Sequence, residues 1–374
     1  MHAETSMEIG GFSRLVTPLF RTHHKGKLPE WSNGADSKSA VRPVRTGGSN
    51  PSLSAKRVPE KVLFFTSFSN SPPDAISLRL FFLTIHTQYY IYMLLFPYAK
   101  INIGLYVTEK RPDGYHNLET CFYPIPLTDT LELRPTHDTN APWHLQVIGT
   151  PLDGEARDNL VVRALENLRK DFPDIPPIDI HLSKRIPTGA GLGGGSSDAA
   201  ATLCAINEMF DLGLSSKDLE QRAAKLGADC AFFIRGRAAI AEGIGDLLTP
   251  TELSLKGWEL LLVKPDDFVS TAEAYKGIHP HPIMQGERGR MPLRDALKQP
   301  VETWRENIVN DFEKSIFLSH PKIAAIKATL YDMGAIYAAM SGSGSAVFGL
   351  FRRRAKEAKE VFKDCFLYQA KLLK

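Results

Sequence analysis

Residues 187–200 read P-T-G-A-G-L-G-G-G-S-S-D-A-A, and a run of good helix formers follows directly. Glycine tolerates positive φ and lets a ligand approach the backbone without meeting a Cβ. We predict Ser196 or Ser197 as the N-cap of the following helix, because serine is a preferred N-cap residue. Backbone N–H groups would then converge at a helix N-terminus, where the helix dipole also favours an anion. The stretch therefore predicts a phosphate-binding loop.

Other glycine-rich loops share part of this pattern. A Walker A loop is excluded, because no Gly-Lys-Ser/Thr closes the stretch. Gly189, Gly191 and Gly194 satisfy the dinucleotide-binding pattern G-x-G-x-x-G, with acidic residues further along the chain. The preceding segment 178–182 alternates apolar and polar residues, whereas a buried parallel strand is continuously apolar. A dinucleotide fold and a tight turn without a ligand stay as alternatives that the pattern disfavours.

The whole stretch resembles the ATP-binding motif of the GHMP small-molecule kinases. Its G-G-G-S-S form is most similar to the branch that acts on 4-diphosphocytidyl-2-C-methyl-D-erythritol. Further motifs similar to those of that branch occur on both sides of the loop, at residues 97–105, 112–118, 226–233 and 340–348. The resemblance therefore covers Met93 to about Leu350. It implies an α+β protein with a ribosomal-protein-S5-like α/β N-terminal domain and an α+β C-terminal domain. The active site would lie in the cleft between them.

The resemblance also implies an activity. The protein would transfer a phosphoryl group from ATP, with Mg²⁺, to the 2-hydroxyl of that substrate in the methylerythritol phosphate route to isoprenoid precursors. Such transfer is mostly positioning and charge stabilisation. The sequence assigns no Mg²⁺ ligand, although Ser196 and Ser197 are candidates. The residues implied for ATP binding are Pro187, Thr188, Gly189, Ala190, Gly191, Leu192, Gly193, Gly194, Gly195, Ser196 and Ser197.

Two charged residues match catalytic positions of that family. Lys100 lies in a predicted strand whose apolar residues between 101 and 107 share one face, and taken alone it is an ordinary strand-end lysine. Asp229 precedes an apolar run, and taken alone it is most simply a helix cap. The resemblance instead implies that Asp229 accepts the proton of the attacking hydroxyl and that Lys100 stabilises the developing alkoxide.

The remaining implied residues contact the substrate. A turn at residues 111–114 precedes Tyr115 and His116. A tyrosine ring can stack on a pyrimidine, and imidazole can hydrogen-bond to its edge. Without the resemblance, Tyr-His after a turn would be an ordinary start of a strand. The residues implied for substrate binding are Asn102, Tyr115, His116, Tyr275, Gly342 and Ser343.

Residues 1–92 differ from the rest of the chain. They hold 11 of the 45 Lys and Arg but 6 of the 42 Asp and Glu, so the remainder carries a formal net charge of −2. That remainder has no basic excess to attract nucleic acid. Residues 32–54 are rich in Ser, Gly, Asn and Pro, and residues 30–56 resemble a conceptual translation of a transfer-RNA gene. We predict a non-native or disordered extension over 1–92, an N-terminal domain over 93–250 and a C-terminal domain over 251–374.

Cysteine content and hydropathy indicate the cellular compartment to expect for the protein. The four cysteines are scattered without a C-x-x-C pattern, so neither a zinc site nor a disulfide framework is expected. The most hydrophobic run, residues 75–98, is interrupted by Arg79, His86 and Gln88, and we predict no membrane span there. A cytoplasmic enzyme is expected, with a small-molecule partner that carries a CDP group and neither a nucleic-acid nor a membrane partner.

Two helix ends and the structure of the closing segment are predicted from local signals. Asp158 is expected to cap a helix, and Gly227 is expected to end one. The closing residues 352–374 are expected to form a solvated edge and a final helix.

Two alternative functions stay open. Another GHMP kinase, of the mevalonate or sugar type, is disfavoured because residues 112–116 suit a cytidine ligand. A non-catalytic nucleotide-binding regulator is disfavoured because Lys100 and Asp229 are both present.

Overall fold

The computed structural model describes residues 61–64, 78–85, 88–137, 140–151, 154–278, 280 and 291–373, with side chains from Tyr92 onward. Most of the predicted extension over 1–92 therefore lies outside the described residues. The chain divides into two compact units, and everything from Tyr92 belongs to the second. Within the described ranges, no helix has both the length and the apolar character needed to cross a membrane.

Strands and helices alternate irregularly along the described chain. The strands are β1 (Lys61–Phe64), β2 (Leu78–Ile85), β3 (Gln88–Leu95), β4 (Tyr98–Lys110), β5 (His116–Thr128), β6 (Thr130–Pro135), β7 (Trp143–Gly149), β8 (Ile178–Lys184), β9 (Ala239–Glu242), β10 (Leu247–Pro250), β11 (Glu259–Lys264), β12 (Tyr337–Met340), β13 (Val347–Phe351) and β14 (Phe366–Lys371). The helices are α1 (Leu160–Arg169), α2 (Gly194–Met209), α3 (Ser216–Ala224), α4 (Cys230–Arg235), α5 (Thr271–Lys276), α6 (Leu293–Ala296), α7 (Trp304–Asn307), α8 (Glu313–Ser319), α9 (Pro321–Asp332) and α10 (Ala358–Val361).

In the first unit, β1 pairs antiparallel with β2. Three groups of strands organise the second unit. In the first group, β6 pairs antiparallel with β3 and β8, and β7 runs parallel to β8. The second group has the order β10-β9-β5-β4, and the third has the order β12-β13-β11-β14. All neighbours in these two groups are antiparallel. The mixture of antiparallel sheets and helices confirms the predicted α+β class. The last strand of the second group ends at Pro250, and the first strand of the third group begins at Glu259.

A β-bulge at Gly104 divides β4 between two hydrophobic cores. The pairing of β4 with β5 shifts register between Ile103 and Leu105, and Gly104 has a φ of +69°. Ile101 and Ile103 pack in one core cluster, whereas Leu105 and Val107 pack in another. A bulge inserts one residue and so turns the following side chains to the opposite face. The prediction that the apolar residues of 101–107 share one face is therefore wrong.

Beyond the bulge, β4 is joined directly to the C-terminal half of the chain. The Leu105 N–H donates to the Val309 carbonyl at 2.9 Å, and the Asp311 N–H donates to the Leu105 carbonyl at 2.8 Å. The Asp311 carboxylate also accepts from the Val107 N–H at 2.8 Å. Asn310 thus forms a single parallel β-bridge with Leu105 of β4. This contact fixes the strand that carries Lys100 relative to the third sheet.

The two predicted helix ends are wrong, and the prediction for residues 352–374 is right about an edge and a helix but wrong in making the helix the last element. Asn159, not Asp158, caps α1, and its side chain accepts from the Val161 N–H at 3.0 Å. Helix α3 ends at Ala224 with Lys225 as its C-cap, so Gly227 lies beyond the cap. The closing residues form only the short α10 and then β14, which pairs with β11 at the edge of the third sheet. Local signals identified these regions but not the pairing partner that decides their structure.

Candidate active site

The glycine-rich loop connects β8 to α2 and is anchored by its apolar residues. Ala190 and Leu192 are buried in the core. The Leu192 carbonyl accepts from the Lys100 N–H at 2.9 Å, and the Ala190 carbonyl accepts from the Ala346 N–H at 3.3 Å. In the loop, Pro187, Ala190, Leu192, Gly194 and Ser197 are buried, Gly191, Gly193 and Ser196 are half-buried, and Thr188, Gly189 and Gly195 are exposed. The exposed glycines leave backbone accessible beside the helix start.

Helix α2 begins at Gly194, and Gly193 is its N-cap with a φ of +71°. The prediction of Ser196 or Ser197 as the cap is therefore wrong. The Ser197 N–H donates to the Gly193 carbonyl at 2.9 Å and closes the first helical turn. The N–H groups of residues 194–196 precede that bond, and such groups have no acceptor inside a helix. Together with the helix dipole, such groups favour an anion at a helix start.

A second glycine turn, at residues 341–346 between β12 and β13, packs against the first loop. The Ser341 hydroxyl donates to the Gly191 carbonyl at 2.8 Å. A Cβ on Gly191 would lie 1.9 Å from the Ser341 carbonyl oxygen, so only glycine permits this approach. The Asn310 amide donates to the carbonyls of Met340 and Gly342, both at 2.8 Å. The turn is thus held by several hydrogen bonds, and Gly342 lies beside Gly191 of the loop.

Lys100 and Asp229, which are 129 positions apart in the sequence, meet next to this loop. The Lys100 ammonium is 3% exposed and lies 3.2 Å from Asp229 Oδ2, 3.0 Å from the Gly191 carbonyl oxygen and 2.5 Å from Asn102 Oδ1. Asp229 occupies the N-cap position of α4 but makes no capping bond with its side chain, which is 31% exposed. Its carboxylate therefore faces the lysine and the solvent rather than the helix.

Asn102, predicted to bind the substrate, is almost completely buried. Its Oδ1 accepts from Lys100, its Nδ2 donates to Thr120 Oγ1 at 3.0 Å, and its N–H donates to Ser341 Oγ at 3.1 Å. The sequence analysis missed Thr120 and Ser341, although the S-G-S-G-S run around Ser341 was a usable signal. The geometry makes Asn102 an internal support of Lys100.

Three aromatic residues predicted to contact the substrate lie on two separate segments. The His116 ring, at the start of β5, stacks on the Tyr275 ring of α5 with centroids 4.8 Å apart and an angle of 22°. Tyr275 also meets Phe312 edge-on at 4.9 Å. Tyr115 is 62% exposed. The structure thus brings His116 and Tyr275 together and leaves Tyr115 open to solvent beside them.

Electrostatics connect this aromatic group with Asp229. Burial, and then the charge of Lys110, lowers the pKa of His116, which favours the neutral imidazole. A neutral imidazole offers one donor and one acceptor nitrogen. Burial, and then the negative charge of Asp229, raises the pKa of Tyr275. Tyr275 therefore lies within electrostatic reach of Asp229.

A buried charged cluster that the sequence analysis missed lies beneath the loop. The Lys184 ammonium pairs with Asp129 and, at 2.7 Å, with Asp198 of α2. Asp129 Oδ1 also accepts from the backbone N–H groups of Arg185 and Ile186, at 2.5 and 2.8 Å. All three charged side chains are almost fully buried. Burial is the main cause that raises the pKa of Asp198 to about 7.

The outer side of the loop meets a segment of the C-terminal half. The exposed Phe268 ring lies against Gly189, where a Cβ would come within 2.5 Å of the ring. The carbonyl of Asp267 accepts from the Ser345 hydroxyl at 2.5 Å, which ties this segment to the second glycine turn. Ser343, predicted to bind the substrate, is half-buried in that turn.

Comparisons with known proteins agree with this geometry. Residues 159–237 match the GHMP kinases N terminal domain, and residues 293–366 match the GHMP kinases C terminal domain. The chain resembles a solved 4-(cytidine 5'-diphospho)-2C-methyl-D-erythritol kinase, with a TM-score of 0.62 and 32% identity over 74% of this chain and 98% of that one. A Methanococcus jannaschii mevalonate kinase shares the fold at a TM-score of 0.54 and 16% identity, over 76% of this chain and 99% of that one.

Curated relatives are more similar. The chain is 52% identical to the 4-diphosphocytidyl-2-C-methyl-D-erythritol kinase of Bacteroides fragilis over 280 residues, which are 75% of this chain and all of the relative. It is 48% identical to the kinase of the same name from Porphyromonas gingivalis over 279 residues, 74% of this chain and 99% of the relative. The chain therefore belongs to the 4-diphosphocytidyl-2-C-methyl-D-erythritol kinases of the GHMP kinase family.

Proposed function

We propose that the protein phosphorylates the 2-hydroxyl of 4-diphosphocytidyl-2-C-methyl-D-erythritol with ATP, in the route to isoprenoid precursors. The observation that carries this proposal is the position of the Lys100 ammonium, which contacts both the Gly191 carbonyl of the glycine loop and the Asp229 carboxylate. Phosphoryl transfer needs an acceptor hydroxyl, a base and the transferred phosphate in one place. This lysine joins the base to the phosphate loop.

Asp229 is proposed as the general base. Its carboxylate is partly exposed and is not used to cap α4, so it is available to a hydroxyl that approaches from solvent. Lys100, 3.2 Å away, places a positive charge where the attacking oxygen becomes negative. A base within hydrogen-bond reach of the attacking hydroxyl accepts its proton as the new O–P bond forms.

The nucleotide phosphates are proposed to bind at the start of α2. The N–H groups of residues 194–196 and the positive end of the helix dipole favour the anion. Exposed Gly195 leaves this backbone uncovered. Holding the triphosphate here would bring its terminal group close to Lys100, because the loop that begins the helix is bonded to that lysine through Gly191.

The cytosine of the acceptor is proposed to bind against Tyr115, His116 and Tyr275. Exposed Tyr115 offers a ring face for stacking, and base–aromatic stacking is worth about 1–3 kcal/mol. Neutral His116 offers a donor and an acceptor to the pyrimidine edge. The stack of His116 on Tyr275 holds the imidazole orientation. These features suit a cytidine ligand better than a bare polyol.

Mg²⁺ is proposed to arrive with the nucleotide. Among the residues that the structure describes, no three His, Cys, Asp or Glu side chains lie together as a metal site. Mg²⁺ commonly keeps several waters and binds through one or two protein oxygens and substrate phosphates. The donor set around the loop therefore does not form a dedicated cage. Bound to ATP, the ion would neutralise phosphate charge.

An ATP-consumption assay of the purified full-length chain tests the function. We expect turnover with the diphosphocytidyl substrate and none with mevalonate or galactose. Identification of the product by ³¹P NMR and mass would show a single new phosphomonoester. Turnover of mevalonate alone would replace the proposal with another GHMP activity. ATP binding without turnover of any of the three would favour a nucleotide-binding regulator.

A further inference from the structure

We propose that Thr120 is a positioning residue for Lys100 and acts through Asn102. The inference rests on the proposed role of Lys100 in catalysis. Thr120 lies on β5, is 1% exposed and does not touch the lysine directly. Its hydroxyl is nevertheless the only group, among the residues described, that accepts from the Asn102 amide N–H₂.

The hydrogen-bond directions in this network are fixed by chemistry. Thr120 Oγ1 lies 2.5 Å from the Gly104 carbonyl oxygen, and a carbonyl can only accept. The single hydroxyl proton of Thr120 therefore points to Gly104. The lone pairs of Thr120 are left to accept from Asn102 Nδ2 at 3.0 Å. The Asn102 amide is thereby oriented with Oδ1 toward Lys100.

The bulge in β4 explains why Thr120 can make this contact. Leu105 is paired with Thr120 and Ile103 with Cys121, so Gly104 is the extra residue without a partner on β5. The extra residue of a bulge is left out of the ladder of hydrogen bonds. The Gly104 carbonyl is therefore available to the Thr120 hydroxyl. Backbone geometry and side-chain orientation are coupled at this one position.

Orientation of the amide matters because lysine is a point charge on a flexible stem. Asn102 Oδ1 accepts from the Lys100 ammonium at 2.5 Å, and the ammonium also contacts Gly191 and Asp229. A reversed amide would turn its N–H₂ donor toward the ammonium. In this buried place, little water would replace the lost acceptor. Lys100 would then leave its position between the phosphate loop and the base.

Thr120→Val removes the hydroxyl and keeps the shape of the side chain. We expect kcat to fall roughly tenfold to a hundredfold, as small misplacements of catalytic groups do. The KM values for ATP and for the diphosphocytidyl substrate should change less than about twofold, because the phosphate loop and the aromatic residues are untouched. Thr120→Ser keeps the hydroxyl and should restore most of kcat.

Thr108→Val is a matched control. Thr108 lies on the same hairpin, and its hydroxyl donates to the Asn117 carbonyl at 3.2 Å without contact to Lys100. Its substitution should leave kcat unchanged, and Tm should be measured for every variant. If Thr120→Val lowers Tm much more than Thr108→Val does, the kinetic test should use Thr120→Ala instead of Thr120→Val. Alanine removes the hydroxyl without adding a methyl group in its place.

The double variant Lys100→Met/Thr120→Val separates positioning from a merely structural role. If Thr120 acts through Lys100, the double variant should lose no more kcat than Lys100→Met alone. Additive losses, or failure of Thr120→Ser to restore kcat, would contradict the proposal, as would full kcat in folded Thr120→Val. Absence of wild-type turnover with the diphosphocytidyl substrate would instead contradict the proposed function, and the positioning proposal with it.

Discussion

Asp229 lies at the N-cap position of α4, yet its carboxylate points to the Lys100 ammonium, with 3.2 Å between Oδ2 and Nζ. Sequence alone allows either a helix cap or a catalytic base at this position. An aspartate that caps a helix accepts from a backbone N–H of the first turn. Asp229 makes no such side-chain bond. The two interpretations can therefore be separated by one substitution.

We expect Asp229→Asn to lower kcat by about 10²–10⁴-fold, the range typical of a lost general base. Asparagine keeps the shape of the side chain but cannot accept the proton. KM for both substrates should stay near wild type, because the lost interaction is made chiefly in the transition state. Steady-state kinetics with both substrates, together with a Tm measurement, checks this prediction. Retention of more than about a tenth of wild-type kcat would show that Asp229 is not the base.

Lys100→Met should give a rate loss of similar order to that of Asp229→Asn, about 10²-fold or more. Methionine keeps the length of the buried stem but removes the charge beside Asp229. ATP binding should persist, because the N–H groups at the start of α2 are unchanged. Calorimetry with ATP provides the control. Normal kcat in this variant would show that Lys100 does not stabilise the transition state.

The sequence predicts the glycine loop better than it predicts the contacts that hold the loop. The loop and the following helix can be predicted because glycine content and helix-forming residues are local signals, whereas the roles of Lys100 and Asp229 are implied only by the resemblance to the kinase family. The contact of Ser341 with Asn102, which in turn accepts from Lys100, cannot be predicted, since Ser341 and Asn102 are 239 positions apart. Only folding brings such partners together.

Local patterns also fail where backbone geometry changes. A glycine within an alternating strand reads the same whether or not it forms a bulge, so the change of face at Gly104 could not be predicted. Serine is a better N-cap than glycine in general, but Gly193 caps α2 because its positive φ turns the loop directly into the helix. Residues 366–371 form a strand because the edge of β11 is available to pair with them.

Tyr115→Ala should raise KM for the diphosphocytidyl substrate by a factor that corresponds to about 1–3 kcal/mol, the value of base–aromatic stacking. KM for ATP should barely change. The 62% exposure of Tyr115 means that its removal should cost little stability. Tyr115→Phe keeps the ring and serves as the control. If both KM values rise together, Tyr115 supports the site structurally and the cytosine assignment loses its main support.

The phosphate position is best tested at Gly195. Valine at Gly193 or Gly194 should also abolish ATP binding. However, a Cβ there would lie 2.8 Å from Phe233 or 2.9 Å from Ile186, so distortion would confuse the result. At Gly195 the nearest atom would be Leu160 Cδ1 at 3.5 Å, an ordinary contact. A side chain at this position therefore fits the protein but covers the backbone N–H groups.

We expect Gly195→Val to weaken ATP binding about tenfold or more, equivalent to about 1.4 kcal/mol. Gly195→Ala should weaken it less while raising the stability, because alanine in a helix is favoured over glycine by about 0.5–1 kcal/mol. Calorimetric titration with ATP and thermal unfolding measure the two effects separately. Unchanged ATP affinity in a folded Gly195→Val variant would place the phosphates elsewhere.

The cluster beneath the loop predicts a pH-dependent stability. Two carboxylates share the Lys184 ammonium, and burial raises the pKa of Asp198 to about 7. An acid whose pKa is higher in the folded state stabilises that state when protonated, and this contribution disappears as pH rises through the folded pKa. Stability from Asp198 should thus be present near pH 4 and lost by about pH 8.

Asp198→Asn mimics the protonated acid at every pH. From pH 5 to pH 8, the Tm of this variant should rise relative to the Tm of the wild type. The increase should be several degrees if the wild type loses a few kcal/mol of its free energy of unfolding over this range. Asp129→Asn is the contrasting control. Asp129 Oδ1 accepts from two backbone N–H groups, and an amide cannot replace both oxygens as acceptors. It should therefore destabilise the protein across the whole range. A Tm difference for Asp198→Asn that does not vary with pH would show that Asp198 is ionised throughout and that Lys184 neutralises both carboxylates.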